Sequence, residues 1–120
     1  MHHKTMGNTE LLKGTLSTII LKLLAGRPRM YGYEMVQLIK ELSGERILVK
    51  EGSLYPALHK LEADKLLISE EVFIGKRVRK YYSLTTGGKT AATTSVDELM
   101  LFLQTIRTLI TAQPAGYETA

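Results

Sequence analysis

Cysteine is absent from this 120-residue chain, which excludes disulfides and thiolate metal sites and is compatible with an intracellular home. No apolar run approaches the roughly 18 residues needed to cross a bilayer. The start, Met1 to Glu10, is polar and lacks the apolar centre of a signal peptide. Also missing are a glycine-rich phosphate cradle, a metal-ligand set and a nucleophile with a base and an orienting acid. Ser53 and His59 have no acid at a useful place beside them, and His59 has no second ligand at metal spacing. The expectation is a non-enzyme with no cofactor, no metal and no membrane, working in the cytoplasm.

What is present is a chain of one-domain length. Apolar residues make up 44% and charged residues 23%, which excludes wholesale disorder. The net charge of +4 is uneven. Met1 to Lys89 carries 15 Lys/Arg against 9 Asp/Glu, whereas Thr90 to Ala120 carries 1 against 3. A basic body with a slightly acidic end favours a polyanion at one end of the molecule.

Leu12, Leu16, Ile19, Ile20, Leu23 and Leu24 recur at helical spacing, predicting a first helix from about Glu10 to Leu24. Gly26 and Pro28 stop it. A second helix from near Tyr31 is expected to bury Met35, Leu38, Ile39 and Leu42, and Ser43-Gly44 ends it. Ile47 to Val49 reads as one short strand. A third helix is predicted from Gly52-Ser53, with Ser53 as cap and Pro56 tolerated in the first turn. Its apolar face is Leu54, Ala57, Leu58 and Leu61; Tyr55, Pro56, His59, Lys60 and Ala63 fall largely opposite.

Leu66 to Ile74 and Arg79 to Leu84 then read as two strands around Gly75-Lys76-Arg77-Val78. Thr85 or Thr86 can cap a last helix, although Gly87 and Gly88 weaken its first turn. Within that helix Ala92, Val96, Leu99, Leu103, Ile106 and Ile110 are spaced 4, 3, 4, 3, 4, a heptad seam. The division expected is a flexible segment over 1–9, a winged DNA-binding domain over 10–85, a dimerisation helix over 86–112 and a loose tail over 113–120.

Helix, helix, helix, strand, strand, helix is the order of a winged helix-turn-helix with an appended helix, mainly α with a small β-hairpin. Here the chain resembles the PadR family of bacterial transcriptional regulators. The residues that carry the likeness are LLKGTLSTIILKLL (Leu11 to Leu24), YGYEM (Tyr31 to Met35), EGSLYPALHKLEADKLL (Glu51 to Leu67) and RKYYSLTTGGK (Arg79 to Lys89). The resemblance implies a homodimeric repressor on a roughly palindromic operator, in the short-tailed subgroup that dimerises through a single coiled-coil-like C-terminal helix. It also implies that a small effector is to be looked for: some members sense phenolic acids, and others bind flat, hydrophobic drugs between the subunits. The drug-binding members stack planar ligands on tryptophan, and this chain has none.

On double-stranded DNA the third helix is expected in the major groove, with Ser53, Tyr55, Pro56, His59 and Lys60 towards the bases. Lys60 suits guanine O6 or N7, or a phosphate. Tyr55 either reaches the DNA or packs against the second helix, and His59 either reads DNA or is a solvated surface residue. Lys76, Arg77, Arg79 and Lys80 make a basic wing, either a solvated turn or, as its place beside the third helix favours, a phosphate or minor-groove contact, and Lys50 and Tyr31 are added as phosphate contacts. Strand alternation sends Arg79 and Lys80 to opposite faces, as it does Tyr81 and Tyr82, of which one should be core. The stripe of the last helix permits either packing back on its own domain or a dimer arm; for the dimer arm the expected contacts are Leu12, Leu16, Val96, Leu99, Leu103, Ile106 and Ile110. Met100 and Phe102 would line an effector site between the subunits. The rival class is a winged-helix adaptor that binds a protein instead of specific DNA.

Overall fold

Tyr82, Ile20, Met30, Met35, Leu54 and Leu58, all essentially removed from solvent, mark the centre of the core. The structure, a computed structural model, describes residues 9–113. In chain order the elements are α1 (Thr9–Ala25), β1 (Met30–Tyr31), α2 (Gly32–Leu42), α3 (Glu51–Ala63), β2 (Leu67–Ile74), β3 (Arg77–Leu84) and α4 (Thr86–Thr111). Thr9 opens α1 and Gln113 follows α4; the rest of the expected flexible start and tail lies outside the described residues.

Three helices packed on a three-stranded antiparallel sheet, with a long helix appended, form a winged helix-turn-helix. The sheet order is β1-β3-β2. α1 lies against both α3 and α4, and so ties the two together.

Four local expectations are corrected. Ile47 to Val49 forms no strand. The Ile47 N–H donates to the Ser43 hydroxyl at 3.0 Å and Val49 is buried, so the segment is a connecting strap fixed by its own anchors. The third sheet position is taken by β1, where Met30 pairs with Tyr82 and Tyr31 with Tyr81.

α3 begins earlier than Ser53: the carbonyl of Lys50, its N-cap, accepts from the N–H groups of Ser53 and Leu54, each at 3.0 Å. Ser53 therefore sits inside the first turn and does not cap the helix. Leu42 is exposed at the end of α2. Finally, the hairpin tip is only two residues, because Gly75 takes φ +62° and closes the turn. Arg77 and Val78 are thereby part of β3.

The junction between the winged domain and α4 is tight. Thr85 caps α4 as expected, its hydroxyl oxygen accepting from the Gly88 N–H at 2.9 Å. The same hydroxyl donates to the Lys65 carbonyl at 2.7 Å, and the Thr85 N–H donates to the Leu66 carbonyl at 3.1 Å. Gly88 is buried so close to the residue that leads into β2 that a Cβ would lie 2.0 Å from the Leu66 oxygen. The glycine that weakens the helix by propensity is thus the residue that lets it dock.

From this anchor α4 runs 26 residues, about 39 Å at helical rise. Ala92 is buried, and Val96 and Leu99 are half-buried. Further along, Met100, Leu101, Phe102, Leu103, Leu109 and Ile110 are exposed. An exposed apolar surface of this kind is a candidate interaction site.

Candidate nucleic-acid interface

α3 separates its residues cleanly. Leu54, Leu58 and Leu61 are buried, while Ser53, Tyr55, Pro56, His59 and Lys60 all lie on its exposed side. Lys60 Nζ is 3.3 Å from Asp64 Oδ2, one helical turn on. A pair that open to water is worth little, so a phosphate or base edge can replace the carboxylate at small cost.

Tyr55 is 37% exposed, and its ring lies 6.5 Å from that of His59. Its hydroxyl end rests against the first residue of α2, 2.8 Å from where a Cβ on Gly32 would be. Tyr55 thus packs on the second helix while keeping part of its ring at the surface. Gly32→Ala should swing the Tyr55 ring outward, because the far end of a side chain yields more easily than backbone. The expected result is a few-fold change in duplex affinity in a binding titration, with thermal stability shifted by no more than about 1 kcal/mol.

The wing cations divide into two groups. Lys76 sits in the turn and Arg77 beside it, both exposed. Behind the tip, alternation takes over. Lys80 faces α3, with Nζ 3.8 Å from Glu62 Oε1 and 5.6 Å from the centre of the Tyr82 ring. Arg79 is on the outer face, its guanidinium carbon 4.4 Å from the centre of the Tyr31 ring. Tyr82 is the buried member of its pair. Burial pushes its phenol above the usual range, against the pull of nearby Lys80. Tyr81 is half-buried, edge-on to Tyr31 with ring centres 5.4 Å apart.

Lys50, at the N-cap of α3, is exposed near Tyr55 and the start of α2. On the other side of α3 an open groove of about 510 Å³ runs along α1, bordered by Lys13, Ser17, Ser53 and Lys60. Lys13 was not legible as part of this surface, because helical periodicity shows that it is exposed but not which neighbour it faces. Arg29, Glu62 and Glu70 were missed because each pairs with a residue on another element.

The expected dimer residues do not form one exposed surface. Leu16 is 3% exposed, inside its own protomer's core, and Leu12 is half-buried at the groove. Val96, Leu99 and Ile106 are half-buried, while Leu103 and Ile110 are 49% and 77% exposed. Met100 and Phe102 are both exposed, but two residues apart on a helix they point to nearly opposite sides. They cannot share one wall of a pocket within a protomer. Among the described residues no helix is long and apolar enough to cross a membrane, and no cluster of three or more His, Cys, Asp or Glu could hold a metal.

A winged helix with an exposed polar reader face and a cationic hairpin is the architecture of a DNA-binding regulator. Comparison with known proteins makes the class definite. Residues 20–94 match the Transcriptional regulator PadR-like family, and the chain belongs to that family of transcriptional regulators, which are not enzymes.

Over 56 residues it is 46% identical to Transcriptional regulator Rv3488 of Mycobacterium tuberculosis, a match spanning 47% of this chain and 52% of that protein. The chain thus matches about half the length of that relative. A transcriptional regulator from Clostridium thermocellum superposes with a TM-score of 0.78 at 28% identity, covering 85% of this chain and 99% of that one. A PadR family transcriptional regulator from Eggerthella lenta gives 0.72 at 30% identity, covering 88% and 89%.

Proposed function

We propose that this protein is a cytoplasmic, homodimeric repressor that binds a roughly palindromic operator through α3 and the basic wing. The observation that carries the reading is the shared exposure of the α3 reader face and the hairpin-tip cations Lys76 and Arg77, in a fold whose family regulates transcription. Ser53, Tyr55, Pro56, His59 and Lys60 would meet base edges or nearby phosphates; Lys50, Lys76, Arg77 and Arg79 would hold the backbone. The reader face has no Arg, Asn or Gln, so few bidentate base contacts are available. Specificity would then rest largely on apolar contact and DNA shape.

The far half of α4, which exposes Leu103, Leu109 and Ile110 among other apolar side chains, would pair with a second copy and set the two reader helices about one DNA turn, roughly 34 Å, apart or a multiple of it. A small hydrophobic or phenolic effector seated between the two α4 helices would relieve repression by favouring another spacing of the heads. Its site would draw Met100 from one protomer and Phe102 from the other, since the two diverge on one helix.

Lys60→Ala with Arg77→Ala tests the reading. The double variant should stay folded and keep its oligomeric state in sedimentation, yet lose duplex affinity. The log-log salt dependence should flatten by about 0.9 for each lost phosphate contact. Unchanged DNA binding with loss of a protein partner would instead make the chain an adaptor.

A further inference from the structure

Four side chains on the outer face of the sheet make a column that joins the start of α2 to the wing. Arg29 lies over the Tyr81 ring, 4.3 Å from guanidinium carbon to ring centre. Tyr81 meets Tyr31 edge to face, at 80° between planes, and Arg79 lies over the Tyr31 ring. The two tyrosines are also backbone partners, residue for residue, across β1 and β3. The column is anchored to β2 and to α2. Arg29 Nη1 donates to Glu70 Oε1 of β2 at 2.7 Å, and the Tyr31 N–H donates to Glu34 Oε1 at 3.0 Å, holding Tyr31 at the N-terminus of α2.

The two ends of this column differ in charge. Arg29 is neutralised by Glu70, whereas among the described residues Arg79 makes no ion pair. Lys80, its neighbour, faces Glu62 on the other side of β3. One cation behind the wing tip is therefore held in a fixed place, against an aromatic face, with its charge uncompensated.

We propose that Tyr31, backed by Tyr81 and Arg29, is a positioning residue that preorders Arg79 for a DNA phosphate. The inference rests on the DNA-binding reading and adds to it a division of labour within the wing. Lys76 and Arg77 at the tip are adaptable charges, while Arg79 is a rigid one tied to α2. The column registers the wing against the helix-turn-helix, so the two contact the duplex as one body. Tyr31 then acts through its ring and needs no hydroxyl contact with the backbone. An arginine ordered before binding loses less freedom on the DNA, which corresponds to roughly 3- to 10-fold in affinity.

The test is a double-mutant cycle on one duplex recovered from a random pool, or on a mixed-sequence duplex at low salt if none is recovered. Tyr31→Leu should weaken binding by roughly 3- to 10-fold, Tyr31→Phe should bind like the wild type, and Tyr31→Leu should add almost nothing in an Arg79→Ala background. Additive losses, or a loss in Tyr31→Phe equal to that in Tyr31→Leu, overturn the proposal. NMR of the Arg79 Nε–Hε group in the DNA-free protein supplies the independent arm. The signal should be ring-shifted and rigid in the wild type and in Tyr31→Phe, and mobile in Tyr31→Leu. A signal equally mobile in all three overturns the column whether or not the protein binds DNA. A rigid wild-type signal in a protein that binds no duplex upholds the column and refutes the DNA-binding reading alone.

Discussion

Replacing Leu103 and Ile110 together with glutamate is expected to give a folded monomer that has lost at least about 100-fold in operator affinity. Both side chains are exposed on α4, at 49% and 77%, so neither belongs to the core that holds the reader together. Ala92, at the anchored end, is buried within the protomer, and the fold upstream should not register the change. On the proposed account the seam is covered by a second copy. Two glutamates per helix would then bring four carboxylates into one apolar contact, which is far costlier than leaving them in water.

A single reader head retains its contacts with one half-site but loses the second, effectively intramolecular, binding event. Sedimentation would show the mass halved while circular dichroism keeps its helical signal. A variant that stayed dimeric would place the interface elsewhere on the molecule. A variant that became monomeric yet bound as tightly would mean that one head suffices.

Gly88→Ala should destabilise the protein by about 2–4 kcal/mol, or roughly 8–16 °C in melting temperature for a domain of this size. The added methyl would stand 2.0 Å from the Leu66 carbonyl oxygen, and that oxygen is backbone, already accepting from the Thr85 N–H. Relief requires the first turn of α4 to lift from the end of β2, which breaks the Thr85 contacts as well. Gly87→Ala is the contrasting case. Its Cβ would meet only the Thr85 hydroxyl oxygen at 3.8 Å, an ordinary contact. The gain in helix propensity should leave Gly87→Ala neutral or more stable by up to about 1 kcal/mol. Thermal melts of the two neighbours therefore separate close approach from propensity, and opposite signs are the expected outcome.

Much of this fold was legible because periodicity reports which side of an element is covered. The α1 stripe, the Leu54-Leu58-Leu61 face of α3 and the division of Tyr81 from Tyr82 all follow from spacing alone. Propensity misled where a contact distant in sequence decides the structure. Ile47 to Val49 is apolar and mostly β-branched, yet the open sheet edge was taken by Met30-Tyr31, two residues too few to leave a pattern. Ser53 is the better capping residue by type, but Lys50 occupies the N-cap. The glycines at 87 and 88 look alike in sequence, and only the packing of α4 on Leu66 sets them apart.

The candidate interface divides in the same way. That Ser53, Pro56, His59, Lys60, Lys76 and Arg77 are exposed can be read from the chain. That Lys80 turns to Glu62 while Arg79 rests on Tyr31 depends on pairings between elements. Leu16 shows the converse: a stripe residue on α1 could serve either core or interface, and its own protomer buries it.

The central claim, a dimeric reader of specific duplex sequence, is tested most directly by selecting bound duplexes from a random pool near physiological salt, with dimerisation measured on the same sample. The account predicts enrichment of an inverted repeat whose half-sites are one DNA turn, or a multiple of it, apart. Folded, dimeric protein that enriches no sequence would contradict it.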